Sequence, residues 1–224
     1  MKKTNSVTLS ILSGILMALS FPDANLGFLA FFCLVPLLVV IYYSKSFKQA
    51  MFFSYVAGLV FSTTTAYWLV FVSPWLLLTT LYVGIYFLLF GYIVKKFLNS
   101  TKKSDFLFVI LIPSAWVALE YIRGNIFTGL GWALLGYSQY LNLPLIQIAD
   151  IGGVYVVSFF IVAINALIFI FARGRFLKKG EVFLNTSKAV IFVLILVLVT
   201  FLYGFFKLNE KNDGVKVKIS VLQG

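Results

Sequence analysis

The 224-residue sequence has no histidine, one cysteine, five prolines and seven acidic residues against eighteen lysines and arginines. Without histidine there is no Ser-His-Asp or Cys-His nucleophile pair and no imidazole metal ligand. A single cysteine likewise excludes an internal disulfide and a thiolate cluster, so neither metal nor cofactor is expected. That cysteine, Cys33, stands in the apolar run Phe31-Phe-Cys-Leu-Val-Pro36 with no base in reach, which marks it as a packing residue. Bulky Phe32 precedes it, where a lipid-modified cysteine would follow a small residue. Charge is also scarce: 11% of residues are charged and 62% are hydrophobic, whereas about a quarter of a soluble globular chain is charged. The net charge of +11 could suggest nucleic acid, but the cations sit in short clusters between apolar runs and form no basic face, so no nucleic-acid partner is expected.

What remains is a polytopic membrane pattern. A spanning helix needs about twenty apolar residues, and the candidates are 7–21, 26–43, 50–71, 75–94, 106–122, 149–172 and 188–206. Met1-Lys-Lys-Thr followed by Val7–Leu19 mimics a secretory signal, yet another apolar run begins at Leu26, so it reads as an uncleaved first span. With a cytoplasmic amino end, Lys2, Lys3, Lys45, Lys48, Lys95, Lys96, Lys102, Lys103, Arg173, Arg175, Lys178, Lys179 and Lys188 fall inside. Only Arg123, Lys207, Lys211, Lys216 and Lys218 fall outside, which is the bias that the positive-inside rule requires. Trp68, Trp75 and Trp132 then lie near the outer surface, as aromatic-belt residues do.

After the last span, Val215, Val217, Ile219 and Val221 alternate with Lys216, Lys218 and Ser220, the period-two pattern of a strand with one buried face. One strand cannot bury that face alone, so it should open an extracytoplasmic soluble domain. The predicted fold class is therefore all-α and polytopic, with about seven transmembrane helices in a domain over 1–206. A linker and a lone terminal β-strand over 207–224 complete it.

A few residues are costly in a membrane. Glu120 and Arg123 are three apart on one predicted helix face and can neutralise each other. They form either a structural clamp or a lipid-phosphate site in which Arg123 binds and Glu120 fixes its rotamer. From Gly124 to Pro144, glycines alternate with Phe127, Trp132, Tyr137 and Tyr140. Such a mixture suits irregular backbone packed at the interface, either as a structural re-entrant loop or as a binding surface. Asp150 reads as a cap on the sixth span. Asn165 and Ser62-Thr-Thr-Thr65 read as polar groups packed between helices. Lipid or substrate contact is assigned to Glu120, Arg123, Trp132, Tyr137, Ser138 and Gln139.

Glu120-Tyr-Ile-Arg-Gly-Asn-Ile-Phe-Thr-Gly-Leu-Gly-Trp132, Leu135-Gly-Tyr-Ser-Gln139, Pro144–Tyr155 and Asn165-Ala-Leu resemble the membrane portion of the apolipoprotein N-acyltransferases. Leu19-Ser-Phe-Pro22 and Leu34-Val-Pro-Leu-Leu38 are similar to the opening spans of that family, although Gly131 stands where its members usually carry proline. The resemblance implies a multi-pass protein of the bacterial cytoplasmic membrane. Its family transfers an acyl chain from phospholipid, through a cysteine thioester, to the α-amine of a diacylglyceryl cysteine opening an apolipoprotein. It also implies that a glutamate, a lysine and a cysteine of an outward-facing nitrilase-like domain do this chemistry, and no position in these 224 residues matches them. The chain is thus expected to be inert alone, truncated or encoded apart from its catalytic half, with a separate nitrilase-like chain as a candidate partner. The alternatives are a non-enzymatic scaffold or transporter subunit and a degenerate remnant.

Overall fold

The computed structural model describes residues 3–22, 24–72, 74, 78–100, 104–126, 129–174, 185–210 and 220. Its regular structure is helical throughout, with no strand among the described residues. In chain order the helices are α1 (Lys3–Leu19), α2 (Val35–Tyr43), α3 (Phe47–Thr65), α4 (Leu69–Val72), α5 (Leu78–Leu98), α6 (Asp105–Asn125), α7 (Leu143–Ile146), α8 (Ala149–Gly152), α9 (Val154–Gly174) and α10 (Thr186–Leu208). Tight 3₁₀ turns cover Gly27–Phe31 and Leu135–Gln139. By length and composition α5, α6, α9 and α10 can each cross a membrane, and α1 and the 27–43 region are shorter apolar helices.

Several expected spans are interrupted. The segment 26–43 is not one helix: the 3₁₀ turn at its start gives way at Phe32–Leu34 before α2 begins with Pro36 in its first turn. Proline lacks an N–H and its ring crowds the carbonyl of the preceding turn, so a helix restarts here instead of continuing. The backbone groups opened by the break are satisfied from another helix. Leu34 N–H donates to Asn165 Oδ1 at 2.9 Å, and Asn165 Nδ2 donates to Ala30 O at 2.8 Å and to Ile161 O at 2.9 Å. From the other side, Ser13 Oγ donates to Cys33 O at 2.5 Å. The segment 50–71 also divides, into α3 and the short α4. The segment 149–172 divides at Gly153, whose φ of 65° ends α8 and lets α9 start on a new axis. Of the expected terminal strand only residue 220 is described, so that prediction lies outside the described residues, as does Trp75.

Close approach of small residues holds the bundle together, as expected where lipid removes the usual apolar driving force. A Cβ at Gly58 would come within 2.6 Å of the Phe87 ring, and one at Gly84 within 2.6 Å of the Tyr55 ring, so α3 and α5 lie nearly backbone to side chain. Ser6, Ser10 and Ser13 turn inward from α1 while Ile11, Leu12 and Ile15 face out. The centre is aromatic. Trp116 meets Phe87 and Phe90 edge-on at centroid distances of 5.3 and 4.9 Å, and Phe108 packs on Phe169 at 5.4 Å.

The two ends of the bundle differ. At one, Arg173 on α9 donates to Asp105 on α6 at 2.6 Å, and Thr186 on α10 donates to the other carboxylate oxygen at 2.6 Å. Lys45, Lys48, Lys95, Lys96 and Lys188 belong to helix ends on this side. The opposite end carries Arg123, Lys207 and the irregular segment between α6 and α9.

Candidate functional site

The site is built where the C-terminal end of α6 meets the segment that follows it. Glu120 and Arg123 share the inward face of α6, each 5% exposed. They do not bond each other. Glu120 Oε1 accepts from Trp116 Nε1 at 2.9 Å, one turn earlier on the helix, and from the backbone N–H of Leu135 at 2.7 Å. Arg123 donates to Ala133 O at 3.4 Å. The pair thus grips the returning chain at two neighbouring points, which agrees with the clamp reading.

That returning chain is folded into the protein. Gly136 N–H donates to Ser158 Oγ on α9 at 2.9 Å, Ser138 Oγ to Leu135 O at 2.7 Å, and Gln139 Nε2 to Gly27 O at 2.7 Å and Ser138 Oγ at 3.0 Å. Irregular backbone at membrane depth is tolerated only when its polar groups find protein partners, and Glu120, Arg123 and Ser158 supply them for Leu135 N–H, Ala133 O and Gly136 N–H. Leu134, Leu135, Ser138 and Gln139 are buried, whereas Trp132, Tyr137 and Tyr140 are exposed.

Two small cavities meet at Arg123. The inner one is lined by Tyr86, Phe87, Trp116, Glu120, Arg123 and Leu135 among others, with about 20 Å³ open to the centre of a water molecule. The outer one has about 30 Å³ and is bounded by Ser62, Thr65, Thr79, Arg123, Leu130 and Trp132 among others. Each has room for about one or two waters, so a lipid group must displace side chains to enter. Trp132 stacks on Trp68 with centroids 5.5 Å apart at the rim of the outer cavity.

The candidate residues therefore divide. Glu120, Arg123 and Trp132 surround the cavities, Ser138 and Gln139 turn inward and tie the segment to the turn at Gly27, and Tyr137 is exposed without lining either cavity. Asp150 needs correction. It lies inside α8 behind Ile148, makes no cap, and is exposed. Its carboxylate accepts from Tyr203 Oη at 3.2 Å and lies 3.9 Å from Lys207 Nζ, both on α10. The reason is Gly153, which separates α8 from α9 and moves the start of the long helix to Val154.

A family model for the apolipoprotein N-acyltransferase N-terminal domain matches residues 13–167. The chain belongs to this family. It is 35% identical over 228 residues to the apolipoprotein N-acyltransferase of Geobacter metallireducens, covering 96% of this chain and 42% of that protein. Identity to the apolipoprotein N-acyltransferase of Rhodopirellula baltica is 29% over 230 residues, covering 93% of this chain and 38% of that protein. To that of Pasteurella multocida it is 30% over 180 residues, covering 75% and 33%. The chain spans well under half the length of these curated relatives, and it is the multi-pass membrane domain of the family that it supplies.

Within this N-acyltransferase membrane domain, sequence reasoning missed Trp116, Tyr86 and Thr65 as site residues. Trp116 was accessible, because it precedes Glu120 by four residues and so shares its helix face. Tyr86 and Thr65 come from other helices, and nothing in their local sequence points toward Arg123.

Proposed function

We propose that this chain is the membrane half of a phospholipid:apolipoprotein N-acyltransferase of the bacterial cytoplasmic membrane. In this reading residues 1–206 cross the bilayer seven times with the amino end in the cytoplasm. Residues 207–224 lead on the outer side into the first strand of a nitrilase-like domain, supplied in the same polypeptide or by a separate chain. The membrane half admits the phospholipid acyl donor and the diacylglyceryl cysteine of the apolipoprotein from the side and presents them to that domain. Glu120 and Arg123 order the segment beneath which the lipids dock, and Arg123 meets the donor phosphate.

One observation carries this reading. Arg123 is a buried cation within a span that lines both cavities, and among the described residues its side chain bonds only to Ala133 O, at a long 3.4 Å. A guanidinium has five donors in a planar fork suited to phosphate. Trp132 at the cavity rim gives the lipid an aromatic edge to cross. The cations Lys45, Lys48, Lys95, Lys96, Arg173 and Lys188 at the far end support the orientation.

The test is acyl transfer from phospholipid to a diacylglyceryl peptide. The chain alone is inert, and adding the nitrilase-like domain restores turnover. In the active assembly Arg123→Gln raises KM for phospholipid more than it lowers kcat. Robust turnover by the chain alone refutes the division of labour, and a reporter fused after Gly224 that resides in the cytosol refutes the orientation.

A further inference from the structure

A more open space lies far from Arg123. Between α5 and α6, at the lysine-bearing end, lies a groove of about 840 Å³, against about 20 and 30 Å³ for the two site cavities. Its floor is apolar, formed by Ile93, Phe97, Leu111, Ile112 and Ala115, and its rim is polar, formed by Lys96, Asn99 and Ser100. We propose that this groove binds an anionic phospholipid from the leaflet opposite the Arg123 site. This does not rest on the acyl-transfer reading, since that reading uses only the other end of the bundle.

The arrangement of side chains selects this ligand. From Ile93 the groove follows α5 to its end at Leu98, roughly 7 Å, and continues past Asn99 and Ser100, the reach of a headgroup, glycerol and the first acyl carbons. Ser114 also lines it, but its Oγ donates to Ile110 O at 2.8 Å, so it makes no polar demand on an acyl chain. At the rim Lys96 is exposed, and so is Lys48, next to the lining residue Phe47. The Phe47 ring sits 5.3 Å from that of Tyr92, one turn before Lys96, so the start of α3 closes one side of this mouth. Among the described residues no acid lines the groove, and Asp105, at this end of α6, is buried against Arg173 and Thr186. A soluble anion would engage the rim and leave the floor uncovered. A zwitterionic lipid would cover the floor and gain less from Lys96.

Phosphatidylglycerol and phosphatidylcholine with identical acyl chains, offered together to the full chain in mixed micelles, serve as probes, with retention read by native mass spectrometry. Lys96 at a membrane surface predicts about fivefold preference for one phosphatidylglycerol. Lys96→Glu abolishes the preference, with the milder Lys96→Gln reducing it, and Ala115→Phe, which fills the floor, lowers retention of both lipids. Free glycerol phosphate does not displace the lipid. Equal retention of the two lipids in the wild type, an unchanged preference in both Lys96 variants, or displacement by glycerol phosphate overturns the proposal.

Discussion

Asn165→Leu tests whether the broken second span depends on a single side chain of another helix. Leucine preserves size and apolarity but removes every hydrogen bond that Asn165 makes. Leu34 N–H, held at 2.9 Å from Oδ1, is left in a buried place without an acceptor, which costs about 1–3 kcal/mol. The link to Ala30 O at 2.8 Å is an interhelical bond of a kind that averages about 0.6 kcal/mol within membranes. That loss is softened because Cys33 Sγ also donates to Ala30 O at 3.2 Å. The third bond, to Ile161 O, lies within α9 and contributes little, since that carbonyl already serves the helix ladder. The sum is a destabilisation of roughly 1.5–3.5 kcal/mol. Equilibrium unfolding of the purified chain in mixed micelles titrated with a denaturing detergent measures it. Ser114→Ala is the control, because Ser114 is exposed and its hydroxyl donates to Ile110 O on its own helix. If Asn165→Leu costs less than about 0.5 kcal/mol, or no more than the control, the side chain is not what satisfies the break.

Glu120→Ala orphans two buried donors, Trp116 Nε1 and Leu135 N–H. It should cost about 2–5 kcal/mol in the same titration, while Glu120→Gln, which keeps an acceptor oxygen, costs far less. Asp105→Ala leaves Arg173 buried without its carboxylate and should cost about 3–5 kcal/mol, read as loss of folded chain on size exclusion in detergent. Gly204→Ala sets a Cβ against Pro144 O, where no methyl fits. Overpacking of about 1–3 kcal/mol should loosen α10 from α7, seen as a lower yield of cysteine cross-links between positions 150 and 203. Cys33 is fully buried, so maleimide should label it only after the chain is unfolded.

Charge and hydropathy alone determined that this is a helical membrane protein, because apolar runs of spanning length leave no other way to satisfy the backbone in lipid. The apolar runs 75–94, 106–122 and 188–206 overlap α5, α6 and α10, which are long and uninterrupted, whereas 149–172 divides at Gly153. The motif around Glu120 to Trp132 also pointed to the candidate site, because buried charge is rare enough in a span to stand out. Tertiary structure decided the rest. It divided the second span at Pro36 and filled the break with Asn165, a pairing across more than a hundred residues that no local pattern encodes. It gave Glu120 the backbone of Leu135 instead of Arg123, and it moved Asp150 from a cap to a contact with α10, because Gly153 redirects the chain. Periodicity reports which residues avoid water, but which polar group answers which broken backbone bond depends on where separate helices come together.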